Sequence, residues 1–458
     1  MPVESATRLP AVLLGALTSV LIFLVVSELF GPAAGLTAAA LWAFDPQAVG
    51  FNRIAKEDSF FLFFFLLGSV FWLRGQRVAE EGRVSPEKFY WLAAASFGAM
   101  MASKYVPHLF AIPAAYYWIF QAIPATRWRL GKIKWLAFFS VMTLAFLACN
   151  PTILLPATWH EMRVFAGERR IGHDSYEFLG TLNRNQMTLW LSGSPWYFYY
   201  VFMAVKLPLL TVVSFCVGLP LLFKKRLGDG RFFVLFWLFF WFFPFTVLGG
   251  KFTRYFTFAL PVVLITAALG VHAVAGWLKD LLERSAASDA WKTCARTAPP
   301  LLVVLLSAYA SASAAPFYRL YTNAAGGGHE RAGTYFPHDE FYDGSLRDTV
   351  SALLPHAREG ATVASETPEL VTFYARRAGR ADISSVSLSD SSALGALSAG
   401  DLVLVARGRR YFSNEKLVAR LRAASRPAAV VPLGGVPSAE VFLLDEPLNA
   451  ALRRPDAR

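Results

Sequence analysis

Charge is scarce in this chain. Charged residues make up 17% of its 458 residues, against about 25% in ordinary soluble domains. Cysteine is scarcer still: there are three, with Cys149 and Cys216 in apolar runs and Cys294 in a basic loop. The residues after Tyr318 contain none, so disulfides do not hold that part together. The chain has no glycine-rich phosphate loop, no cysteine pair and no serine nucleophile elbow. His160 and His173 stand thirteen apart with no third ligand at a metal-site spacing, so no metal is expected. What the chain does have is apolar bulk: 55% hydrophobic residues, including 40 Phe, in long blocks that stop near Tyr318. This composition excludes a water-soluble single enzyme, a disordered chain and a disulfide scaffold. It leaves a polytopic α-helical membrane domain over residues 1–318 and a soluble domain over 319–458.

A spanning helix needs about 20 mostly apolar residues. Ten candidates follow in order. They are Ala11–Phe30, Gly31–Phe44, Ser59–Leu73, Phe89–Ala102, Val106–Ile123, Trp135–Cys149, Pro195–Phe223, Phe232–Leu248, Tyr255–Leu278 and Ala298–Phe317. Lys and Arg crowd into alternate loops: Arg74–Lys88, Arg127–Lys134, Lys224–Arg231 and Lys279–Arg296, four in each. By the positive-inside rule these loops face the cytoplasm. The net charge of +12 is then largely a topology signal, not a nucleic-acid footprint. The other loops and the tail after Tyr318 face outward. So does the N-terminus, which has no secretory signal ahead of it, and this predicts a further helix upstream.

The outward junctions carry charge where lipid is near. The segment Asp45-Pro-Gln-Ala-Val-Gly-Phe-Asn-Arg53-Ile-Ala-Lys56-Glu-Asp58 leads straight into an apolar helix. Charge at a membrane boundary marks a functional candidate unless it is paired or wetted. A plain ion-paired junction, Arg53 with Asp58 or Lys56 with Asp45, accounts for this segment equally well. Lys104 lies alone between two spans, and Lys206 precedes Pro208 inside an apolar run. Lys251 and Arg254 open another span, with Tyr255 beside them. Snorkelling explains any one of these cations. A set of them on one face suits a lipid-linked phosphate.

These segments resemble a family. Arg8-Leu-Pro-Ala-Val-Leu-Leu-Gly-Ala-Leu, Leu41-Trp-Ala-Phe-Asp45 and Arg53-Ile-Ala-Lys-Glu-Asp58 are similar to the protein O-mannosyltransferases and their bacterial relatives. Those are phospholipid-carrier-dependent glycosyltransferases of the GT-C superfamily. Ser103-Lys104-Tyr105, His173-Asp-Ser-Tyr176, Trp196-Tyr-Phe, Lys206-Leu-Pro208 and Arg254-Tyr255 through Pro261 extend the likeness over about residues 8–275. The resemblance implies a GT-C membrane fold of about ten spans with an extracytoplasmic C-terminal domain, in a bacterial inner membrane. It implies inverting transfer of a sugar from a polyprenyl or dolichyl phosphate to a hydroxyl of a protein or glycolipid, without a cofactor. Arg53, Lys56, Lys104, His173, Tyr176, Lys206, Lys251, Arg254 and Tyr255 are the substrate and phosphate candidates that it supplies. Asp58 and Asp45 are the catalytic carboxylates on offer, and Asp58 has the alternative role of orienting Arg53. In the family a first helix leads into an acidic catalytic loop. This sequence opens at what resembles the second helix, so the main base is expected on upstream sequence. A non-catalytic subunit of the same fold and a lipid transporter are the rival readings. A transporter predicts internal inverted repeats, and the sequence shows no such symmetry.

In the tail, a helix over 344–360 and later helices over 368–378 and 414–424 alternate with short strands at 361–365, 383–388, 401–406, 428–432 and 441–444. This alternation predicts a small α/β domain. His338, Asp339, Glu340 and Asp343 read as a solvated loop ahead of a helix rather than as a cation site.

Overall fold

A computed structural model describes residues 3–82, 85–121, 132–167, 175–285 and 288–452. The chain divides into two compact units. The first comprises Met1–Glu168, Trp196–Val247 and Phe252–Gly328, and the second Arg169–Pro195, Leu248–Lys251 and His329–Arg458. Where the sequence reading sets a boundary after 318, this division ends the first unit at Gly328 and puts Arg169–Pro195 and Leu248–Lys251 in the second. The reason is packing: the 175–195 segment and Leu248–Lys251 bond to each other and to the tail, as described below.

The first unit is helical. Its elements are α1 (Val3–Phe30), α2 (Pro32–Phe44), α3 (Pro46–Asn52), α4 (Asp58–Glu81), α5 (Glu87–Ser103), α6 (Ala111–Gln121), α7 (Lys132–Cys149) and α8 (Pro156–Gly167). After a segment of the second unit come α9 (Phe198–Lys206), α10 (Leu209–Leu221), α11 (Gly230–Val247), α12 (Leu260–Arg284) and α13 (Asp289–Ala314). Five of them, α1, α4, α11, α12 and α13, are long and apolar enough to cross a membrane, and α2, α7 and α10 are shorter apolar helices. The expected span Pro195–Phe223 is two helices. Pro208 cannot donate to the ladder, so α9 stops at Lys206 and Pro208 becomes the N-cap of α10.

α12 is the centre of this unit: every residue from Leu260 to Val271 is buried. α10 crosses it backbone to backbone. A Cβ on Gly218 would stand 2.0 Å from the Thr266 carbonyl oxygen, and one on Gly270 would stand 2.0 Å from that of Ser214. Only glycine permits that approach. Phenylalanine fills the space between α4, α11 and α12: Phe65 meets Trp237 at 4.9 Å and Phe258 at 4.7 Å between ring centres. α13 instead exposes Leu301, Leu302, Leu305 and Tyr309, the all-round apolarity of a helix facing lipid.

The second unit holds a five-stranded sheet in the order β4-β3-β5-β7-β6, with β3 (Thr362–Ser365), β4 (Ser384–Ser387), β5 (Leu402–Ala406), β6 (Ala429–Leu433) and β7 (Val436–Leu443). β3, β4 and β5 run parallel, while β7 is antiparallel to both β5 and β6. α15 (Leu346–Leu353), α16 (Pro368–Arg377) and α18 (Glu415–Ala424) pack apolar faces on it. The expected alternation is there. The last strand runs eight residues, longer than 441–444, because the chain turns back at Gly434–Gly435. The helix expected over 344–360 is limited to α15, followed by a short 3₁₀ turn over Leu354–His356.

A separate two-stranded hairpin pairs β1 (Ser175–Phe178) with β2 (Thr181–Arg184). It packs on α14 (Pro337–Phe341): the Tyr176 hydroxyl donates to Asp339 Oδ2 at 2.7 Å. His338, Asp339 and Glu340 are therefore buried, not a solvated loop. The sequence alone suggests an exposed acidic run because the hairpin that covers it lies more than 150 residues upstream.

Candidate functional site

α4 and α5 form an antiparallel hairpin, so the start of one lies beside the end of the other. That places Asp58, the first residue of α4, against Lys104, which follows α5. The Lys104 ammonium donates to Asp58 Oδ1. Glu57 Oε1 is 3.5 Å from the same nitrogen. The ammonium also stands 4.7 Å from the centre of the Tyr255 ring. Arg254 completes the group, its guanidinium 4.1 Å from the centre of the Phe252 ring and 5.3 Å from that of Tyr255. The result is two carboxylates, two cations and a phenol on the ends of α4 and α5 and on the 3₁₀ turn Thr253–Thr257 that leads into α12.

Burial grades this cluster. The Asp58 side chain is 12% exposed, Lys104 22% and Glu57 42%. Burial alone would push the Lys104 ammonium down, but Asp58 outweighs it and holds the group above its usual value. Burial likewise pushes the Glu57 carboxyl up, and Lys104, Lys56 and Arg254 more than reverse it, so Glu57 stays ionised below its usual range.

The structure answers the question of ion pairs in the Asp45–Asp58 segment. Asp58 pairs with Lys104, not with Arg53. Arg53 ends α3 and donates to the Pro316 carbonyl at 2.8 Å, with its guanidinium 5.3 Å from the centre of the Tyr318 ring. Lys56 is half-buried and acts on Glu57 through its charge. Asp45 is not Lys56's partner. It is fully buried and caps α3, with Oδ1 accepting from the Gln47 and Ala48 amides at 2.9 and 3.0 Å. Pro at the first helical position and Asp at the cap are the signature of such a start.

The remaining candidates lie elsewhere. Lys206 is buried at the end of α9 and donates to the Thr322 hydroxyl at 3.2 Å. Asn323 secures that end by donating to the Ala204 and Leu207 carbonyls at 2.7 Å each. Lys251, although three residues from Arg254, belongs to the second unit. It is fully buried, and its ammonium donates to the carbonyls of Ser194, at 3.2 Å, and Leu248. Its amide donates to Asn185 Oδ1 at 2.7 Å. Burial pushes its ammonium down to about 8. Tyr176 sits on the hairpin of the second unit, bound to Asp339. His173 lies outside the described residues.

Sequence reasoning passed over Glu57, although it directly precedes Asp58, and over Thr322 and Asn323, which no local pattern ties to α9.

Residues 2–154 match the family model described as dolichyl-phosphate-mannose-protein mannosyltransferase. This is the family that the Arg8, Asp45 and Arg53–Asp58 segments resemble. The matched residues include Arg53, Glu57, Asp58 and Lys104. Among solved structures, the chain is similar to ArnT from Cupriavidus metallidurans bound to undecaprenyl phosphate, at 12% identity and a TM-score of 0.48, over 98% of this chain and 85% of that one. It is also similar to the archaeal oligosaccharyltransferase AglB from Archaeoglobus fulgidus in complex with an inhibitory peptide and a dolichol-phosphate. There the identity is 13% and the TM-score 0.43, over 88% of this chain and 58% of that one. A comparison with curated proteins gives no match.

Proposed function

We propose that this chain transfers a hexose or pentose from a polyprenyl- or dolichyl-phosphate carrier to a hydroxyl of a protein or glycolipid, with inversion, on the outer face of a bacterial inner membrane. The observation that carries the reading is the cluster of Glu57, Asp58, Lys104, Arg254 and Tyr255, whose first three members fall inside the mannosyltransferase match. The placement of the basic loops supports the outward face for this cluster and for the C-terminal domain.

The acceptor oxygen bonds to the anomeric carbon as the bond from that carbon to the phosphate oxygen breaks. The carrier departs as its phosphate. Negative charge develops on that oxygen, and Lys104 and Arg254 are the cations that meet it. Asp58 holds Lys104 charged and in place. The acceptor proton goes to a carboxylate. Asp58 is committed to Lys104 and Asp45 to a helix cap, so within this cluster Glu57, the half-exposed acid, is the candidate for that step. Arg53, at the end of α3 and bonded to the Pro316 carbonyl, is a further candidate phosphate ligand.

The test uses the purified chain in vesicles with a radiolabelled polyprenyl-phosphate sugar. Glu57→Gln lowers turnover about 10²-fold or more while the protein stays folded in the membrane. Arg53→Ala and Lys104→Met abolish transfer. Unchanged turnover in any of these removes that residue from the site, and unchanged turnover in all three refutes the assignment of the site.

A further inference from the structure

Two of the helices packed on α12 are too short for a bilayer. α2 and α10 have 13 residues each, about 20 Å against a hydrocarbon core of about 30 Å. α12 continues for twelve residues beyond His272, about 18 Å more. Where the short helices stop, at the turn from α1 into α2 and at the end of α10, a recess of about 330 Å³ opens against the side of α12. This end of the helices adjoins the basic segment Lys224–Arg231.

The chemistry of the recess is divided. Phe30, Leu221 and Leu269 line it with apolar surface, and Lys224 and Arg226 line it with charge. Both cations are exposed, and neither has a carboxylate partner among the described residues. The third polar side chain, His272, is turned inward. Its Nε2 lies 2.9 Å from Thr37 Oγ1 and 3.2 Å from the Ala33 carbonyl oxygen. The first-turn amides of α2, which has no side-chain cap, add to the positive field.

We propose that this recess binds an anionic membrane phospholipid. Its phosphate lies on Lys224 and Arg226, and its acyl chains fill the apolar wall that the short helices leave bare. A free inorganic phosphate matches the cations but not the Phe30, Leu221 and Leu269 surface. A neutral lipid matches the wall but leaves the two cations unanswered. The basic loops place this site in the inner leaflet, where anionic lipid attracts such residues. The site is on the opposite side of the membrane from the proposed reaction and does not depend on it.

The experiment uses the full chain in nanodiscs of phosphatidylcholine with increasing phosphatidylglycerol, read by thermal unfolding. Phosphatidylglycerol raises the unfolding temperature of the wild type with a saturable midpoint. Lys224→Gln and Arg226→Gln each move that midpoint up about fivefold. Lys225→Gln, which removes a neighbouring charge that does not line the recess, leaves it in place. Equal unfolding temperatures in pure phosphatidylcholine show that all variants fold. An equal shift from Lys225→Gln means diffuse surface charge and overturns the proposal. So does stabilisation by inorganic phosphate alone in phosphatidylcholine, which marks a soluble-anion site.

Discussion

A buried lysine whose ammonium meets only carbonyl oxygens among the described residues is costly below its pKa, and Lys251 allows that cost to be measured. Its folded value of about 8 lies below the ordinary 10.5 because burial disfavours the charged form. Between these values the unfolded chain binds more protons than the folded one, so folding stability rises with pH across that window. Below pH 8 the penalty is fully present, and above 10.5 it is gone. At about 1.4 kcal/mol per pKa unit, the shift is worth on the order of 3 kcal/mol. Lys251→Met removes the penalty and also two hydrogen bonds, to Ser194 and Leu248, worth about 1 kcal/mol each. The variant is therefore more stable than wild type at pH 7, by about 1 kcal/mol, and less stable at pH 10.5. The measurement is the difference in unfolding between wild type and Lys251→Met as pH rises, which cancels every other group titrating in the same range. A difference that stays constant from pH 7 to 10.5 refutes the reasoning. A stability gain at pH 7 accompanied by loss of transfer would mark Lys251 as a residue kept for activity at the expense of stability.

Two further predictions follow from contacts within the membrane unit. The Asp58–Lys104 pair is less exposed than a surface pair, worth about 0–1 kcal/mol, and more exposed than a buried one, whose rupture costs about 3–5 kcal/mol. A double-mutant cycle of Asp58→Asn and Lys104→Met in thermal unfolding therefore gives a coupling of about 2 kcal/mol; a value near zero would mean that the pair is only a surface contact. Asn323→Ala leaves the Ala204 and Leu207 carbonyls without their side-chain donor and lowers stability by about 2–4 kcal/mol, read as a lower unfolding temperature with sugar transfer retained at 25 °C.

The long helices were legible because membrane length is a demand on composition: about 20 apolar residues have no other economical use. The strands of the tail were legible because they alternate with helices of ordinary amphipathic period. The pairing of charges was less so. Reading along the chain offers Arg53 as the partner of Asp58 and Lys56 as that of Asp45, because they lie in one segment. The partner is Lys104, 46 residues away. The signal was present in the topology, since two charges at the free ends of consecutive antiparallel helices must meet. It is a signal about chain direction, invisible to any local window. Lys251 and Arg254 show the converse. They are neighbours in sequence, but their side chains serve different units. Gly249 lies so close to the Gln186–Trp190 turn that a Cβ there would stand 2.7 Å from the Gln186 carbonyl oxygen. That contact carries Lys251 into the second unit, while Phe252 turns back to the aromatic core of the first.

The pairing also changes what the cations read as outward-facing mean. Four unpaired cations at one membrane face would repel one another, and each would seek water or an anion. The structure instead settles them by different means. Lys206 donates to a hydroxyl, Lys251 to backbone carbonyls, Lys104 to a carboxylate, and Arg254 lies over aromatic rings. Asp58, the carboxylate among these partners, helps hold the Lys104 ammonium above its usual value. Lys104 thus keeps its charge in the resting protein, with Arg254 and an accessible acid, Glu57, beside it. In the proposed reaction an arriving phosphate need not recruit a cation from solvent or from the membrane surface. It meets one already oriented, and the preorganisation that transfer requires comes from the meeting of two helix ends.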